Sequence, residues 1–450
     1  SALVLYNNSY YETEGSIAFS HPKMVSGNGG MKRPHHLSEL LNFKPYKEYY
    51  YIYTDHRTQL QYLVSGKEIA EHGFRIHLFG YQYRVCLQFN EVYDRDGKYE
   101  KLFLMLNGKG VTSVEEALKE MELLPLHSRY ENFFSYDNLE KIRTYLVYKP
   151  DRKKKDEEIS LPGKMDTELN LLILEFHKYL DEGKSRVKTE KKFHNDLSAY
   201  REFFQFWITQ NSRKSVTKWM KSCDDILPVN SKVETNREYL TFINLILLKQ
   251  LFSKKSDSEK IHIFFDDLLL HKPITNIIQK QSNGSSIHQR IELIKTLLTA
   301  FLFEKKKSQA KTAGKKSASI SAKKQDETDI LSLIKTLLAE NIVHKFLRVN
   351  DFEGTTYFNK ERFEELLRWI LLFHITGVPS SIKDEYRKLK KAEFEKEILK
   401  ISKNNYARFV ELIDKAESNG YDFTKFQREL SKENEKKEKN KSINKKRNKI

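Results

Sequence analysis

Cysteine and long apolar runs are both scarce in this chain of 450 residues. The two cysteines, Cys86 and Cys223, lie far apart in the sequence, which excludes a disulfide-built scaffold and fits a reducing compartment. The longest largely apolar runs, such as Tyr239–Leu248, are much shorter than the roughly 20 residues of a membrane-spanning helix. From these two absences we predict a cytoplasmic protein with no membrane contact.

Positive charge is unevenly distributed along the chain, whose formal net charge is +17. The first 100 residues carry equal numbers of basic and acidic groups, whereas residues 305–324 contain eight Lys and no acid, and residues 431–450 have a net charge of +6. Both stretches lack the apolar content of a folded core. We interpret 304–327 as a Lys/Ala/Ser-rich linker and 429–450 as a disordered basic tail. Loose polyanion binding by these segments, and hence a nucleic-acid-binding protein, is an alternative that the charge leaves open.

Alternating apolar and polar residues predict a β-rich first domain over residues 1–93. The alternation is unbroken at 81–90, where Arg84 and Cys86 belong to the polar face. The preceding stretch alternates in the same way, so the two are predicted to be neighbouring antiparallel strands that turn near Gly80. The predicted strands are Leu3–Asn7, Gly15–Met24, Tyr49–Asp55, Phe74–Phe79 and Tyr81–Tyr93, with short helices near His36–Leu41 and Gly66–His72. Thirteen of the 24 tyrosines lie in the first 100 residues, which is typical of a small aromatic-rich sandwich.

After residue 93 the pattern changes to the period of α-helices. Residues 94–150 are predicted to connect the β-rich domain to the helices. Within them, a helix opens with capping-box spacing at Thr112–Glu116 and is expected to end before Pro125.

Two helical domains follow, over 160–303 and 328–428. In the second domain Asn359 is the expected N-cap of a helix that Gly377-Val378-Pro379 ends, and a helix over 404–419 is expected to end at Gly420. The predicted fold class is therefore α+β, with an N-terminal antiparallel β-sandwich-like domain followed by a large, mainly α-helical region.

A charged cluster, Asp55-His56-Arg57, follows the aromatic strand that contains Tyr53. These four residues form the candidate binding site, in which the Tyr53 ring stacks on a sugar or a base and the charged groups contact the ligand. The alternative is an Asp–Arg ion pair that holds the next loop. We favour the ion pair, because a carboxylate buried at a strand end requires a partner.

Three motif-like stretches fail the requirements of the chemistry that they suggest. Asp94-Arg95-Asp96-Gly97 resembles the start of an EF-hand loop, but Met105 stands where a bidentate Glu is required. Asn107-Gly108-Lys109-Gly110 lacks the glycine spacing and the Lys-Ser/Thr pair of a P-loop, and His35-His36 has no further ligand at zinc-site spacing. We predict no catalytic residue, no metal and no cofactor in this chain.

Several strings of residues, taken in order, resemble a known family. They are Thr54-Asp55-His56-Arg57, Leu60-Gln61-Tyr62-Leu63, Gly80-Tyr81-Gln82-Tyr83-Arg84-Val85, Leu106-Asn107-Gly108-Lys109-Gly110-Val111, Val114-Glu115-Glu116-Ala117-Leu118, and later Val349–Gly354 and Tyr357–Leu367. Their order resembles the C-terminal, post-barrel region of large bacterial proteins of glycoside hydrolase family 13, the α-amylase family. The resemblance covers residues 1–150 best and returns near 345–375.

The resemblance implies a β-sandwich that follows a catalytic (β/α)8 barrel, and then a helical extension. It also implies a parent enzyme that hydrolyses or transfers α-glucosidic bonds, with its Asp nucleophile and Glu acid/base upstream of Ser1. The chain itself is then expected to be an inactive fragment that braces the barrel of the same polypeptide, with α-glucan as a further partner. A helical scaffold protein without a carbohydrate ligand is the remaining alternative.

Overall fold

The computed structural model describes the chain as an α+β protein, which confirms the predicted fold class. The residues that it describes are 2–24, 32–147, 163–180, 186–211, 236–252, 258–281, 287–312, 330–386 and 391–432. The chain divides into two compact units, Ser1–Leu124 and Pro125–Ile450. The β-rich domain was predicted to end at residue 93, whereas the first compact unit also includes the helices over residues 98–124.

The first unit is built from eight strands and four helices in its described residues, the last of which crosses into the second unit. They are β1 (Ala2–Tyr6), β2 (Thr13–Ile17), β3 (Lys23–Met24), β4 (Lys32–Arg33), α1 (Leu37–Leu40), β5 (Tyr49–Asp55), β6 (Gln61–Ser65), α2 (Gly66–His72), β7 (Phe74–Leu78), β8 (Tyr83–Tyr93), α3 (Lys98–Leu106) and α4 (Val114–Phe133). The two short helices predicted in this region are confirmed as α1 and α2.

A four-stranded antiparallel sheet in the order β1-β8-β5-β6 forms the centre of the first unit. One face of this sheet packs against a second ladder, β2–β7, and against α1 and α2 through a shared core. The opposite face packs against α3 and α4, but only over β5 and β6, where Tyr50 and Leu63 are buried. The central strand β5 is therefore covered on both sides.

The predicted pairing of the two strands around Gly80 is wrong. Strand β7 pairs with β2, whereas β8 pairs with β1 and β5, so the two consecutive strands lie in different layers. Between them Tyr81 adopts a φ of 56°, and the backbone of Gly80 packs against Tyr10. The turn carries the chain from one layer to the other. The alternation of apolar and polar residues continues through the turn, although β7 and β8 do not pair with each other.

A β-bulge in β8 reverses the predicted faces of the residues that precede it, whereas Phe89 beyond the bulge faces the core as predicted. The register with β5 shifts between Ile52 and Thr54, and Gln88 opposite this shift has a φ of 59°. One extra residue in a strand moves every later side chain to the other face. The fully buried Cys86 therefore faces the core before the bulge and Phe89 faces it after the bulge. Cys86 and Arg84 were predicted on the polar face and lie on the core side.

Two element boundaries in the first unit also differ from the prediction. The single strand expected over Gly15–Met24 is divided into β2 and β3. Helix α4 continues through Pro125 instead of ending before it. Pro125 is exposed, and its missing N–H removes one backbone hydrogen bond, while buried Leu123 and Leu126 anchor the helix on both sides. The predicted capping at Thr112–Glu116 is confirmed, since the Ser113 hydroxyl accepts a hydrogen bond from the Glu116 N–H.

The described part of the second unit is mainly helical. Its elements after α4 are α5 (Tyr136–Val147), α6 (Gly163–Tyr179), α7 (Arg186–Asn211), α8 (Asn236–Leu251), α9 (Ser258–Asp267), α10 (His271–Gln281), α11 (Ile287–Thr312), α12 (Ile330–Leu337), α13 (Asn341–Leu347), β9 (Asn350–Phe352), β10 (Thr355–Tyr357), α14 (Lys360–Tyr386) and α15 (Lys391–Ser418), and helical turns also cover 423–432. No helix among these combines the length and apolar character needed to cross a bilayer.

Helix α8 lies at the centre of the second unit. It is buried on nearly every side, including the polar Thr241 and Asn244, because α5, α7 and α11 pack around it. The large side chains of Trp207 on α7 and Trp369 on α14 are buried in the same unit.

The helix ends of the second unit were predicted with mixed success. The Asn359 side chain caps α14 by accepting from the Arg362 N–H, and α15 ends just before Gly420, which has a φ of 60°, as predicted. The expected end of α14 at Gly377-Val378-Pro379 is wrong, because the helix continues to Tyr386. A single missing N–H removes one hydrogen bond, and the rows of buried residues upstream keep the helix in place.

The predicted Lys-rich linker and tail are only partly described. Helix α11 extends to Thr312, into the linker predicted at 304–327, and helical turns reach residue 432 in the tail predicted at 429–450. Residues 313–329 and 433–450 lie outside the described residues. Polyanion binding by these segments therefore stays a prediction.

Candidate functional site

Asp55 is buried at the end of β5, and each of its carboxylate oxygens has its own partner. Oδ1 accepts a hydrogen bond from the Arg57 N–H at 2.9 Å, and Oδ2 lies 3.3 Å from Nε of Arg84 on β8. Backbone hydrogen bonds close the same turn. The Asp55 N–H donates to the Leu60 carbonyl, and the Asp55 carbonyl accepts a hydrogen bond from the Gln59 N–H. Asp55 therefore holds the loop between β5 and β6 in place.

The residues that surround Asp55 form a buried aromatic and thiol cluster. The ring of Tyr53 stacks on Tyr62 with centroids 5.2 Å apart, and the Arg84 guanidinium lies 5.3 Å from the centre of the Tyr62 ring. Burial raises the pKa of the Tyr53 hydroxyl well above its ordinary value. Burial also raises the pKa of the Cys86 thiol to about 12, although nearby Arg84 opposes this shift.

The structure separates the four residues predicted as a binding site. Tyr53 and Asp55 point into the core of the first unit, whereas His56 and Arg57 are exposed in the turn that follows. The ion partner of Asp55 is Arg84, and Arg57 contributes only its backbone N–H. This arrangement holds a loop in position, and its buried ring and carboxylate have no face open to a ligand.

The motif-like stretches of the sequence are also structural. Asp94 accepts hydrogen bonds from the N–H groups of Lys98 and Glu100, so it caps α3. Asn107 and Gly108 both have positive φ and form the turn that ends α3. In the described part of the chain no group of three or more His, Cys, Asp or Glu residues is arranged to hold a metal ion.

Two groups of charged side chains in the second unit resemble reactive clusters, but their contacts connect helices. His194 on α7 lies 3.7 Å from a carboxylate oxygen of Asp166 on α6 and 4.0 Å from Glu190, and burial raises the pKa of Asp166. Arg362, which belongs to a string of the family resemblance, is buried on α14, where it contacts Glu292 at 3.1 Å and the Phe346 carbonyl at 2.8 Å. The His194–Asp166 contact connects α7 to α6, and the Arg362 contacts connect α14 to α11 and α13.

A group of exposed aromatic side chains lies at the turns of the first unit. Tyr10 and Tyr11, in the β1–β2 turn, are 79% and 77% exposed, and Phe79 and Tyr81, in the β7–β8 turn, are 58% and 68% exposed. We call these four residues the turn platform. Large aromatic side chains are strongly hydrophobic, so a cluster of them in water marks an interaction site more often than a single exposed ring does.

Backbone contacts hold the two turns of the platform together. The Tyr81 N–H donates to the Ser9 carbonyl at 3.1 Å, and the Asn7 side-chain amide donates to the carbonyls of Tyr11 and Phe79 at 2.6 and 3.1 Å. Gly80 permits this close approach, since a Cβ there would lie 2.2 Å from the Tyr10 carbonyl oxygen. The four rings are therefore carried on one rigid support.

A second exposed apolar surface lies on the four-stranded sheet. Helices α3 and α4 do not cover β1 and β8, and Val4, Tyr6 and Tyr83 are more than half exposed there, beside the partly buried Val85. The register pairs Val4 with Val85 and Tyr6 with Tyr83, so the four side chains share one face. We call these four residues the bare sheet half.

Sequence reasoning missed both exposed surfaces. The signal for the turn platform was present, because Tyr10-Tyr11 follows the turn-forming Asn7-Asn8-Ser9 and Tyr81 follows Gly80. Tyrosines in a turn cannot enter a sheet core, whereas those of β5 can. The bare sheet half had no such signal, because its residues have the same alternation as a covered face.

The described residues form a two-unit α+β protein, and the first unit has two exposed apolar surfaces. No family model, curated protein or solved structure matches the chain.

Proposed function

We propose that this chain is the non-catalytic, post-barrel part of an α-glucan-active enzyme similar to the α-amylase family, and that its first unit braces the catalytic barrel of the same polypeptide. The bare sheet half is the observation that carries the proposal. It is an exposed apolar surface on the central sheet, whose opposite face is packed against the β2–β7 ladder, α1 and α2, and such surfaces are typical of interfaces between domains.

The open edge of the sheet supports docking at this place. In the described residues β1 pairs with β8 alone. The Val85 carbonyl accepts a hydrogen bond from the His56 N–H, so the backbone groups of Val85 point toward β5 and not toward its partner Val4 on β1. In an antiparallel pair this direction alternates along the strand, so the N–H and C=O groups of Val4 and Tyr6 point away from β8, toward the open edge. The strand Ala2–Tyr6 has no charge, proline or bulge, which are the devices that protect free edges. An edge of this kind is suited to contact with another folded part.

The buried carboxylates of the first unit support a non-catalytic role. Asp55 and Asp94 are its buried acids among the described residues, and hydrogen bonds to backbone N–H groups occupy both of them. A retaining glycosidase needs two carboxylates about 5 Å apart on either side of the scissile bond. The proposal therefore places the reacting acids in the barrel. It also places the protein in the cytoplasm, which the buried free thiol of Cys86 supports.

The test starts with the coding sequence upstream of Ser1. The proposal requires a (β/α)8 barrel there, with paired carboxylates at the C-terminal ends of its strands. In that longer protein Val4→Lys introduces a charge into the docking face, and we expect limited proteolysis to separate the barrel from the first unit more readily. Leu104→Lys, a matched change on an exposed leucine of α3, should leave proteolysis unchanged. An upstream sequence without a barrel, or equal effects of the two variants, would reject the proposal.

A further inference from the structure

We propose that the turn platform is a binding site for an uncharged polysaccharide, whose pyranose rings stack on Tyr10, Tyr11, Phe79 and Tyr81. The choice of α-glucan as the first ligand to test rests on the function proposed above. The site differs from the predicted site at Tyr53, whose ring is buried.

The kind of side chain favours sugar rings as the ligand. One face of a pyranose ring presents C–H groups, which pack against the face of an aromatic ring, while tyrosine hydroxyls reach the sugar hydroxyls at the rim. All four platform side chains are aromatic and three of them carry a hydroxyl. An interface for a protein partner would more often combine aromatic residues with Met and Arg.

The low charge of the two turns, and their lack of Lys and Arg, favour a neutral ligand. The two turns, residues 7–12 and 79–82, contain a single charged residue, Glu12, which is paired with His77, although 31% of the whole chain is charged. A nucleic acid or another polyanion would require basic groups around the rings. A neutral polysaccharide has no such requirement.

The rigid support of the rings favours binding. Ordering flexible side chains and loops on binding costs conformational entropy and weakens the affinity. Here the hydrogen bonds from Asn7 and Tyr81 already fix the two turns. Tyr rings have few rotatable bonds, so little freedom remains to be lost.

The opposite end of the same sheet provides an internal control. Tyr46 is 61% exposed and lies 6.2 Å from the ring of Tyr49, at the end where β5 begins and β8 ends. Lys44 contacts the face of Tyr49 and forms an ion pair with Glu91, so this end is charged. It offers an exposed tyrosine in surroundings that do not suit a neutral ligand.

The experiment is affinity electrophoresis of the full chain in native gels that contain amylose, glycogen, a soluble β-1,4-glucan or no polysaccharide. We expect amylose and glycogen to retard the chain. Tyr10→Ala and Tyr81→Asn should each weaken binding about threefold to tenfold, which is the loss of one stacking ring. Asn is chosen because it tolerates the positive φ of residue 81. Tyr46→Ala should leave the retardation unchanged.

The outcomes separate the two proposals. Retardation by the β-1,4-glucan alone, lost in the two platform variants, would support the platform and contradict the α-glucan assignment. Absence of retardation by every polysaccharide would overturn the platform and leave the barrel test to decide the proposed function. An equal loss in Tyr46→Ala would also overturn the platform. Protection of Cys86 from thiol reagents checks that each variant is folded.

Discussion

Asp55 shows how one buried carboxylate organises the end of a strand. Its backbone is in β5, one oxygen fixes the following turn, and the other pairs with Arg84 on the neighbouring strand. The sequence indicated that this acid needs a partner, but not which one. Arg57 is adjacent in the chain and exposed, whereas Arg84 becomes a neighbour only through the β5–β8 pairing. The register of the two strands determines which arginine becomes the partner, and a local sequence pattern carries no information about that register.

Removal of the Asp55 side chain should destabilise the first unit. Asp55→Ala leaves the mostly buried Arg84 and the Arg57 N–H without their acceptor, and we expect a loss of about 2 kcal/mol in the free energy of unfolding. In a Cys223→Ser background Cys86 is the single thiol, so its labelling in urea measures the opening of this unit. Arg57→Ala is the control and should change stability by less than about 0.5 kcal/mol. Equal effects of the two substitutions would contradict the assigned role.

Alkaline pH should open the first unit through Cys86. The folded thiol has a pKa raised to about 12, whereas in the open form it ionises near its ordinary value of 9.0. The open state therefore binds fewer protons above pH 9, and stability falls as pH rises from about 9 to about 12. We expect the labelling rate of the native protein to rise about tenfold per pH unit through this window. The urea-unfolded chain should reach a plateau soon after pH 9, and a native rate with the same plateau would contradict the prediction.

The elements were predicted better than the ways in which they end and pair. Alternation located most of the strands and helical spacing located most of the helices, because each depends on which local face is buried. Proline at 125 and at 379 was read as a stop signal, yet both helices continue. A proline removes one hydrogen bond, and this loss is outweighed by buried residues on both sides of Pro125 and upstream of Pro379. The exposed turns and the bare sheet half depend on what other elements leave uncovered, which no local pattern reports.

The bulge at Gln88 can be tested with a matched pair of substitutions. Gln88 has a φ of 59°, which a β-branched side chain adopts only with strain. Gln88→Val should therefore destabilise the first unit by about 1–2 kcal/mol, measured by Cys86 labelling in urea. Asn90→Val places the same residue at an exposed position beyond the bulge, where φ is not positive. If both variants were equally stable, the bulge would not constrain this strand.

The packing of the two turns against each other depends on Gly80. Gly80→Ala would place a Cβ 2.2 Å from the Tyr10 carbonyl oxygen, and the contacted atoms of Tyr10 are all backbone atoms, which cannot rotate away. Because the two turns must then separate, we expect the free energy of unfolding to fall by about 1–3 kcal/mol. The retardation by polysaccharide should weaken for the same reason. The control is Gly15→Ala in β2, where a Cβ would meet nothing within 4 Å. Unchanged stability and binding in Gly80→Ala would show that the turns are not a single support.

At the scale of the molecule, each unit has a core of its own. The first core lies between the central sheet and the β2–β7 ladder, with a second layer beneath α3 and α4, and the helical unit is built around α8. The division between β-rich and helical parts was visible in the sequence as a change of period near residue 93. The boundary of the compact units is at residue 124, because α3 and the start of α4 pack on the sheet. Only the tertiary contacts of a helix reveal the unit to which it belongs.

Separate cores predict separate unfolding transitions. All three tryptophans, Trp207, Trp219 and Trp369, belong to the second unit, so tryptophan fluorescence follows that unit while Cys86 labelling follows the first. In urea we expect Asp55→Ala to shift only the labelling midpoint. Arg362→Ala removes the buried contacts to Glu292 and the Phe346 carbonyl, so it should shift only the fluorescence midpoint. Equal shifts of both midpoints by either variant would mean that the two units unfold as one, because a loss of stability in one core would then be shared by the whole chain.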